Sequence, residues 1–366
     1  MTTTRPGSDS GAAPCIAIVG ATGAVGKEFL TILDERKFPI GHLRLMASSR
    51  SVGKKMTFRG REYVVEDLEK ADPSGIDIAL FSAGASTSRA HAARFAAAGA
   101  MIVDNSSAFR MDPEVPLVVP EVNPEAVQDA PKRIIANPNC STIIALVPLW
   151  PLHRKARLRR LIVSTYQAVS GAGARAIDEL EKQTKDVLEG RPARKEIFSH
   201  QIAFNLFSHN SKIGADGYNE EETKMTKETY KIFGDTSIGI SATCVRVPTF
   251  RSHAESITAE FASPLSPDDA RAILSHAEGV RVVDDREKNY FPMPIETAGQ
   301  DLVYVGRIRK DTSGPNSLTF FISGDQLRKG AATNAVQIAE LLLKTTDMET
   351  RSKTGKPGNP AMAGRV

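Results

Sequence analysis

Short apolar runs alternate with amphipathic stretches through the first third of the chain. Cys15 to Val19 reads as a buried strand; a glycine turn and a helical pattern from about Ala24 to Leu33 follow, then a second strand over Leu43 to Ala47. The alternation continues with a strand over Ile76 to Phe81, a helix near Ser88 to Ala98, and strands over Met101 to Val103 and Ile134 to Ala136. Strands that recur singly between helices need crossover connections, so this part of the chain predicts an α/β, doubly wound parallel sheet. Beyond about Asn139 the character changes. Longer β-type runs appear at Leu161 to Gln167, Ser241 to Val247, Ser256 to Phe261, Leu302 to Ile308 and Ser317 to Ser323, which predict an α+β unit with a mixed or antiparallel sheet. A last helix, about Gln326 to Lys344, carries Leu327, Ala331, Ala335, Ile338, Ala339 and Leu342 at helical spacing and is expected to return onto the first sheet.

At 366 residues, 41% apolar and 25% charged, the chain is long enough for roughly two or three cores. The expected division is a first domain over 14–139 completed by 326–347, a second domain over 140–325, and tails at 1–13 and 348–366 whose composition gives them no core and leaves them disordered. No apolar stretch approaches the roughly 18 to 20 residues of a membrane helix, and no N-terminal apolar region of secretory type is present, so a soluble, cytoplasmic protein is expected. Cys15, Cys140 and Cys244 have neither paired nor metal-type spacing; they are expected to work or pack as thiols, and no metal is expected. A net charge of +4 is too small to argue for a nucleic-acid surface. The local cluster Arg154, Lys155, Arg157, Arg159 and Arg160 has no interleaved aromatic residues and reads as a solvated connection.

Gly20-Ala-Thr-Gly23-Ala-Val-Gly26 follows the first strand and opens the first helix, the context that a dinucleotide fingerprint requires. Glycines allow a tight turn and close approach of backbone N–H groups to a pyrophosphate, and the helix start supplies positive dipole. Gly20, Thr22, Gly23, Ala24, Val25 and Gly26 are therefore the candidate cofactor contacts of a Rossmann-like domain, against the blander reading of an ordinary glycine turn. An NAD site usually ends its second strand with an acid for the ribose hydroxyl, whereas here the strand runs into Ser48-Ser49-Arg50-Ser51. An arginine between hydroxyls can pair with a 2′-phosphate, so Ser49, Arg50 and Ser51 favour NADP(H).

Cys140 sits in Asn137-Pro-Asn-Cys140-Ser-Thr, just before the apolar helical run Ile143 to Leu149. Asn139 or Ser141 can cap that helix, and unpaired N–H groups at its start favour a thiolate, which makes Cys140 a candidate nucleophile. Cys15 and Cys244, each inside an apolar run, read as packed side chains. Of the seven histidines, His42, His91, His153, His200, His209 and His276 lie in charged or polar stretches and are expected at the surface. His253 follows a β-run that carries Arg246.

An ordered set of motifs resembles the aspartate-β-semialdehyde dehydrogenase family over roughly residues 15 to 345. Besides the glycine turn and the Cys140 motif, it includes Phe81-Ser-Ala-Gly84, Asp104-Asn-Ser-Ser-Ala-Phe-Arg110, Val118-Val-Pro-Glu-Val-Asn123, Ser164-Thr-Tyr-Gln-Ala-Val-Ser-Gly-Ala-Gly173, Glu221-Glu-Thr-Lys224, and Arg246-Val-Pro followed by Ser252-His253. The resemblance implies a catalytic and dimerisation role for the second domain and a homodimer or homotetramer. It implies Cys140 as acyl-accepting nucleophile, His253 as general acid/base and Gln167 as the substrate-orienting amide. Arg246 would grip a substrate carboxylate, Glu221 an ammonium, and Arg110 and Lys224 a phosphate. Acidic neighbours on both sides leave the Glu221 assignment open by one position. Ser170, Gly171 and Gln326 would be further cofactor contacts. The implied reaction is NADPH-dependent reductive dephosphorylation of β-aspartyl phosphate. Three rivals remain: a reductase of an acetylated glutamyl phosphate, a cofactor-free cysteine hydrolase or acyltransferase, and an inactive binding paralogue.

Overall fold

The structure is a computed structural model that describes residues 13–354, with side chains described to residue 345. Its first sheet is parallel and six-stranded, in the order β5-β2-β1-β6-β7-β8. The chain lays down β1 (Cys15–Val19), helix α1 (Ala24–Glu35), β2 (His42–Ala47), a side hairpin β3 (Lys55–Phe58) and β4 (Arg61–Val64), and a short edge strand β5 (Glu66–Asp67). It then crosses to the far side of β1 for β6 (Ile78–Phe81), helix α2 (Ala85–Ala97), β7 (Met101–Asp104) and β8 (Ile134–Ala136). The crossing direction reverses between β1 and β6, which opens a crevice at the carboxyl ends of those two strands.

Helix α3 (Cys140–Ala156) links the two halves. It is apolar on every side, with Ile143, Ile144, Leu146, Val147 and Leu149 all buried, and such a helix must be covered all round. It is covered by both sheets: one core runs from Phe81, Phe95 and Ile102 through these α3 residues to Val163, Ile257 and Phe320. Pro148 and Pro151 lie inside the helix.

The second half comprises β9 (Leu158–Gln167), α4 (Ala174–Leu188), β10 (Phe207–Ser208), α5 (Glu220–Phe233), β11 (Gly239–Arg246), β12 (His253–Phe261), α6 (Pro267–Ser275), β13 (Val280–Val282), α7 (Pro294–Thr297), β14 (Val303–Lys310) and β15 (Ser317–Gly324). Its seven-stranded sheet is mixed, ordered β10-β11-β9-β12-β15-β14-β13, with β9 parallel to β11 and antiparallel to β12. The architecture is thus the α/β first sheet and mixed second sheet that the hydrophobic pattern predicts. Three details differ. The hairpin β3–β4, the short strands β5, β10 and β13, and helices α4, α6 and α7 go unread in the pattern. β12 starts at His253, three residues before its apolar run. The expected single helix after Gln326 begins instead as a wide turn over Arg328–Ala332 with π-type bonding, then continues as α8 (Thr333–Thr354). α8 passes the expected boundary at 348 because no Gly or Pro interrupts it before Gly355. The tails expected at 1–13 and 348–366 otherwise lie outside the described residues. Val336, Ile338, Ala339 and Leu342 of α8 pack with Phe29 and Leu33 of α1 and with Ile16 and Ile18 of β1. Among the described residues no helix is long and apolar enough to cross a membrane.

Candidate active site

Helix α3 begins at the sulfur. Asn139 caps it, accepting from the amides of Ser141 at 3.0 Å and Thr142 at 3.4 Å, and Cys140 is the first helical residue. His253 opens β12 with Nε2 3.4 Å from Cys140 Sγ, and its Nδ1 accepts from the Ala168 amide at 3.0 Å. A neutral imidazole has one proton, so it sits on Nε2 and faces the sulfur. Burial, reinforced by the Arg246 charge, lowers His253 to about 3, and the ring is neutral at working pH. Burial also pushes the half-buried Cys140 thiol up to about 12; Glu221 adds to this, while Arg110, Arg246 and the Ser141 amide oppose it. The helix start therefore favours the thiolate as expected but does not prevail, and the free protein holds a thiol. Cys244, buried in β11, is inaccessible. Cys15, at the start of β1, is half-buried.

Strand topology brings the other groups to the same edge. Parallel β9 and β11 end together, Gln167 in register with Arg246, and antiparallel β12 starts there. The Gln167 amide is fixed at both ends: Oε1 accepts from Thr165 Oγ1 at 3.0 Å and Nε2 donates to Glu221 Oε1 at 3.2 Å. Glu221 lies in the first turn of α5, accepts also from Asn139 Nδ2 at 2.8 Å, and meets Lys224 Nζ at 3.3 Å. Burial works against its ionisation, but His209, Lys224 and the amides of Asn139 and Gln167 outweigh it and hold the carboxyl below its usual range. His209 contributes to that field only when protonated. Glu220 is exposed, and Glu222 is committed to the Asn219 and Cys244 amides at 2.9 Å each, so among the three acids Glu221 alone joins this group.

Arg246 is 2% exposed, yet no ion pair among the described residues includes it. Nη1 donates to Ala168 O at 2.7 Å, Nη2 to His209 Nε2 at 2.7 Å and to Asn210 Oδ1 at 3.3 Å, and buried Nε has no partner. Glu221 acts on it only from beyond ion-pair distance, and an interior cation without a direct partner is costly unless an anion arrives to meet it. Arg110 differs. It is buried too, but Glu228 pairs with its Nη1 at 3.1 Å while Asn137 O and Asn105 O accept from Nε and Nη2. Arg110, Lys212, Lys224 and Lys227 line an open cleft of about 440 Å³ between the loop after β7 and α5.

Two residues of this cluster escape sequence reasoning. His209 was expected at the surface and is instead mostly buried on Arg246; the polar loop Ser208 to Ser211 carries no periodicity that could reveal this. Glu228 ties Arg110 to Asn139, whose amide donates to it at 2.6 Å. Its signal exists, since 221, 224 and 228 share one face of a helix. His91, also expected outside, is buried against Glu69. His153 is half-buried and stacks on Trp150.

The crevice at β1 and β6 fits a dinucleotide. Gly20 has φ +88°, and a Cβ there would lie 2.3 Å from Ser82 O; one on Gly26 would lie 2.3 Å from Gly20 O. Only glycine permits this turn. Gly23 precedes α1 without a side-chain cap, so the first amides of the helix, including Ala24, Val25 and Gly26, are left for an anion. Thr22 Oγ1 donates to Ser51 Oγ at 3.2 Å, Ser49 to Ser51 form a short 3₁₀ turn, and Arg50 is exposed beside them. Ser170 and Gln326 bond each other and are buried; Gln326 Oε1 accepts from the Ser252 amide at 2.8 Å, next to His253. A Cβ on Gly171 would press Arg246 and the His253 ring, at 3.1 and 3.3 Å.

A glycine-lined nucleotide crevice joined to a strand edge that carries a thiol, an imidazole and opposed charges defines a two-part NAD(P)-binding oxidoreductase. Family models agree: "Semialdehyde dehydrogenase, NAD binding domain" matches residues 15–130 and "Semialdehyde dehydrogenase, dimerisation domain" residues 149–329. The aspartate-semialdehyde dehydrogenase of Aquifex aeolicus is 56% identical over 332 residues, 90% of this chain and 98% of that protein. The structure of aspartate semialdehyde dehydrogenase II from Vibrio cholerae, complexed with ASA, superposes with a TM-score of 0.89 at 46% identity, covering 91% of this chain and 98% of that one. The Candida albicans enzyme with NADP superposes at 0.72 and 25% identity, over 92% of this chain and all of that one. The chain belongs to the aspartate-semialdehyde dehydrogenase family.

Proposed function

We propose that the chain reduces β-aspartyl phosphate to aspartate semialdehyde with NADPH, releasing phosphate through a thioester on Cys140, in the biosynthesis of lysine, threonine, methionine and diaminopimelate. One observation carries the reading. A thiol beside an imidazole is flanked by a buried guanidinium without a counter-ion, Arg246, and a buried carboxylate, Glu221, which are the grips a substrate bearing both carboxylate and ammonium needs. An acetylated glutamyl phosphate has no ammonium to offer Glu221. A cysteine hydrolase or acyltransferase would have no use for the crevice at β1.

In the forward direction Cys140 Sγ bonds to the acyl carbon while the carbon–oxygen bond to phosphate breaks, and the thiol proton leaves with the departing phosphate. Arg110 and Lys224 hold the departing phosphate from opposite sides of the cleft. Bound NADPH supplies the hydride that reduces the acyl group. His253 serves at Nε2, where its proton is within reach of the sulfur and of an oxyanion formed beside it; stabilising that oxyanion lowers the barrier, and collapse returns the thiolate. Gln167 keeps a second amide hydrogen for the acyl oxygen. Ser49, Arg50 and Ser51 would receive the 2′-phosphate, the basis for NADP over NAD. Ser170, Gly171 and Gln326 would close the nicotinamide side.

The proposed division places the cofactor unit at 14–139 with 326–347, supported by the packing of α8 on α1 and β1, and the catalytic unit at 140–325. The family's dimerisation domain, with Ile162 and Tyr166 exposed on β9, supports a homodimer or homotetramer. Free thiols suit the cytoplasm. The test is NADP reduction by aspartate semialdehyde, which should require phosphate and vanish in Cys140→Ala while NADPH binding stays within a few-fold. Phosphate-independent turnover, or activity in Cys140→Ala, sinks the proposal.

A further inference from the structure

His209 touches the unpaired guanidinium of Arg246 and is held from behind. Ser211 Oγ lies 3.0 Å from its Nδ1, the Ser211 amide N–H points at the same nitrogen from 3.3 Å, and the same Oγ accepts from the Glu221 amide at 3.3 Å. An arginine nitrogen has no lone pair to give, so His209 Nε2, 2.7 Å from Arg246 Nη2, must be the acceptor. A neutral ring accepts at one nitrogen only, so the short, charge-assisted contact with Arg246 prevails over the longer Ser211 amide contact, and the ring proton lies on Nδ1, directed at Ser211 Oγ. Burial, with the Arg246 and Lys224 charges, prevails over Glu221 and lowers the ring to about 4, which keeps it neutral.

A neutral acceptor does what a carboxylate could not. It aims the guanidinium through a hydrogen bond and leaves its charge uncancelled. Arg110 shows the contrast within the same molecule: its partner is Glu228, an ionisable acid that answers its charge directly. We propose that His209 is a positioning residue for substrate recognition, holding Arg246 charged and oriented for the substrate carboxylate and, through Ser211, setting its spacing from the ammonium grip at Glu221. The inference rests on the amino-acid substrate proposed above. It predicts that the geometry of the two grips, and hence discrimination among short amino-acid aldehydes, depends on a residue that touches no substrate atom.

The test uses His209→Leu, which removes the acceptor, and His209→Gln, whose amide oxygen can replace it. His209→Leu should raise the KM for aspartate semialdehyde at least about tenfold, the loss of roughly one hydrogen bond to a charged group. The dissociation constant of NADPH and the KM for phosphate should change little, and His209→Gln should return the KM to within about threefold of the parent. A folded His209→Leu with an unchanged KM, a loss confined to kcat, or a glutamine variant as impaired as leucine would overturn the proposal. Nitrogen-15 NMR of the histidine rings in the unsubstituted enzyme reads the same inference without substrate. His209 must appear as the Nδ1–H tautomer, neutral at pH 7, and an Nε2–H or doubly protonated ring refutes it even if the leucine variant fails to fold. A chain that turned over no aspartate semialdehyde would defeat the proposed function while the NMR still decided the state of His209.

Discussion

Arg246→Leu separates recognition from stability more cleanly than any other substitution at this edge. The guanidinium is buried, meets only neutral acceptors, and keeps Nε without a partner. A bidentate grip on a carboxylate comprises two hydrogen bonds between charged groups, at roughly 1.5 to 3 kcal/mol each, so its loss should lower kcat/KM for aspartate semialdehyde about 10²- to 10⁴-fold. Arg246→Lys keeps the charge but offers no fork, and should lose about 10- to 100-fold. Stability should respond differently. Leucine removes an uncompensated interior charge, which is favourable, but leaves Ala168 O and His209 Nε2 unpaired, which costs about 1 to 3 kcal/mol for each buried group. These effects oppose each other, so the melting temperature should move far less than the kinetics. The assay is initial-rate NADP reduction at varied semialdehyde and saturating phosphate, with NADPH binding followed by fluorescence. A leucine variant whose kcat/KM stayed within threefold of the parent would show that the unpaired charge does not serve the substrate.

Glu221→Gln removes a charge that raises the Cys140 thiol, so the thiol should ionise at lower pH and alkylation by iodoacetamide at a fixed pH should be faster than in the parent. The parent's alkylation should go on rising above the ordinary thiol value of 9.0, and a plateau near neutrality would contradict the burial argument. Lys224→Leu should raise the KM for phosphate about tenfold with the fold intact. Arg110→Leu should instead destabilise the protein by about 3 to 5 kcal/mol, because it leaves the buried Glu228 carboxylate without its cation and held only by the Asn139 amide, and equal melting temperatures for the two variants would refute that distinction. Glu255, fully buried in β12 with neither oxygen partnered, has its carboxyl raised well above the usual value by desolvation. A carboxyl raised on folding favours the native state fully only below its unfolded value and loses that contribution as pH rises. The melting temperature of Glu255→Gln should therefore gain on the parent from weakly acidic to alkaline pH, and a constant difference would show that the group does not ionise as inferred.

What was legible in the sequence is what short-range physics controls. The β1–turn–α1 unit is visible because a turn with a positive φ and two close backbone approaches needs glycine at particular spacings, whatever lies elsewhere. The Asn139 cap and the thiol at the start of α3 are visible for the same reason, since capping involves residues two and three positions apart. The apolar runs report burial, and so the two kinds of sheet. The family motifs located Arg246 and Glu221, but not the state of either.

Only tertiary structure decided how these groups meet and what charge they carry. Cys140 and His253 stand 113 residues apart, and they meet because antiparallel β12 starts where parallel β9 and β11 end, a non-local pairing that no periodicity encodes. Arg110 and Glu228, 118 residues apart, meet as a buried pair. His209, in a loop without pattern, becomes the partner of Arg246. The resting thiol of Cys140 and the neutral rings of His209 and His253 follow from desolvation by elements distant in the chain. Local sequence determines which groups can ionise, but solvent exclusion and neighbouring charge set whether they do, and both are properties of the packed fold.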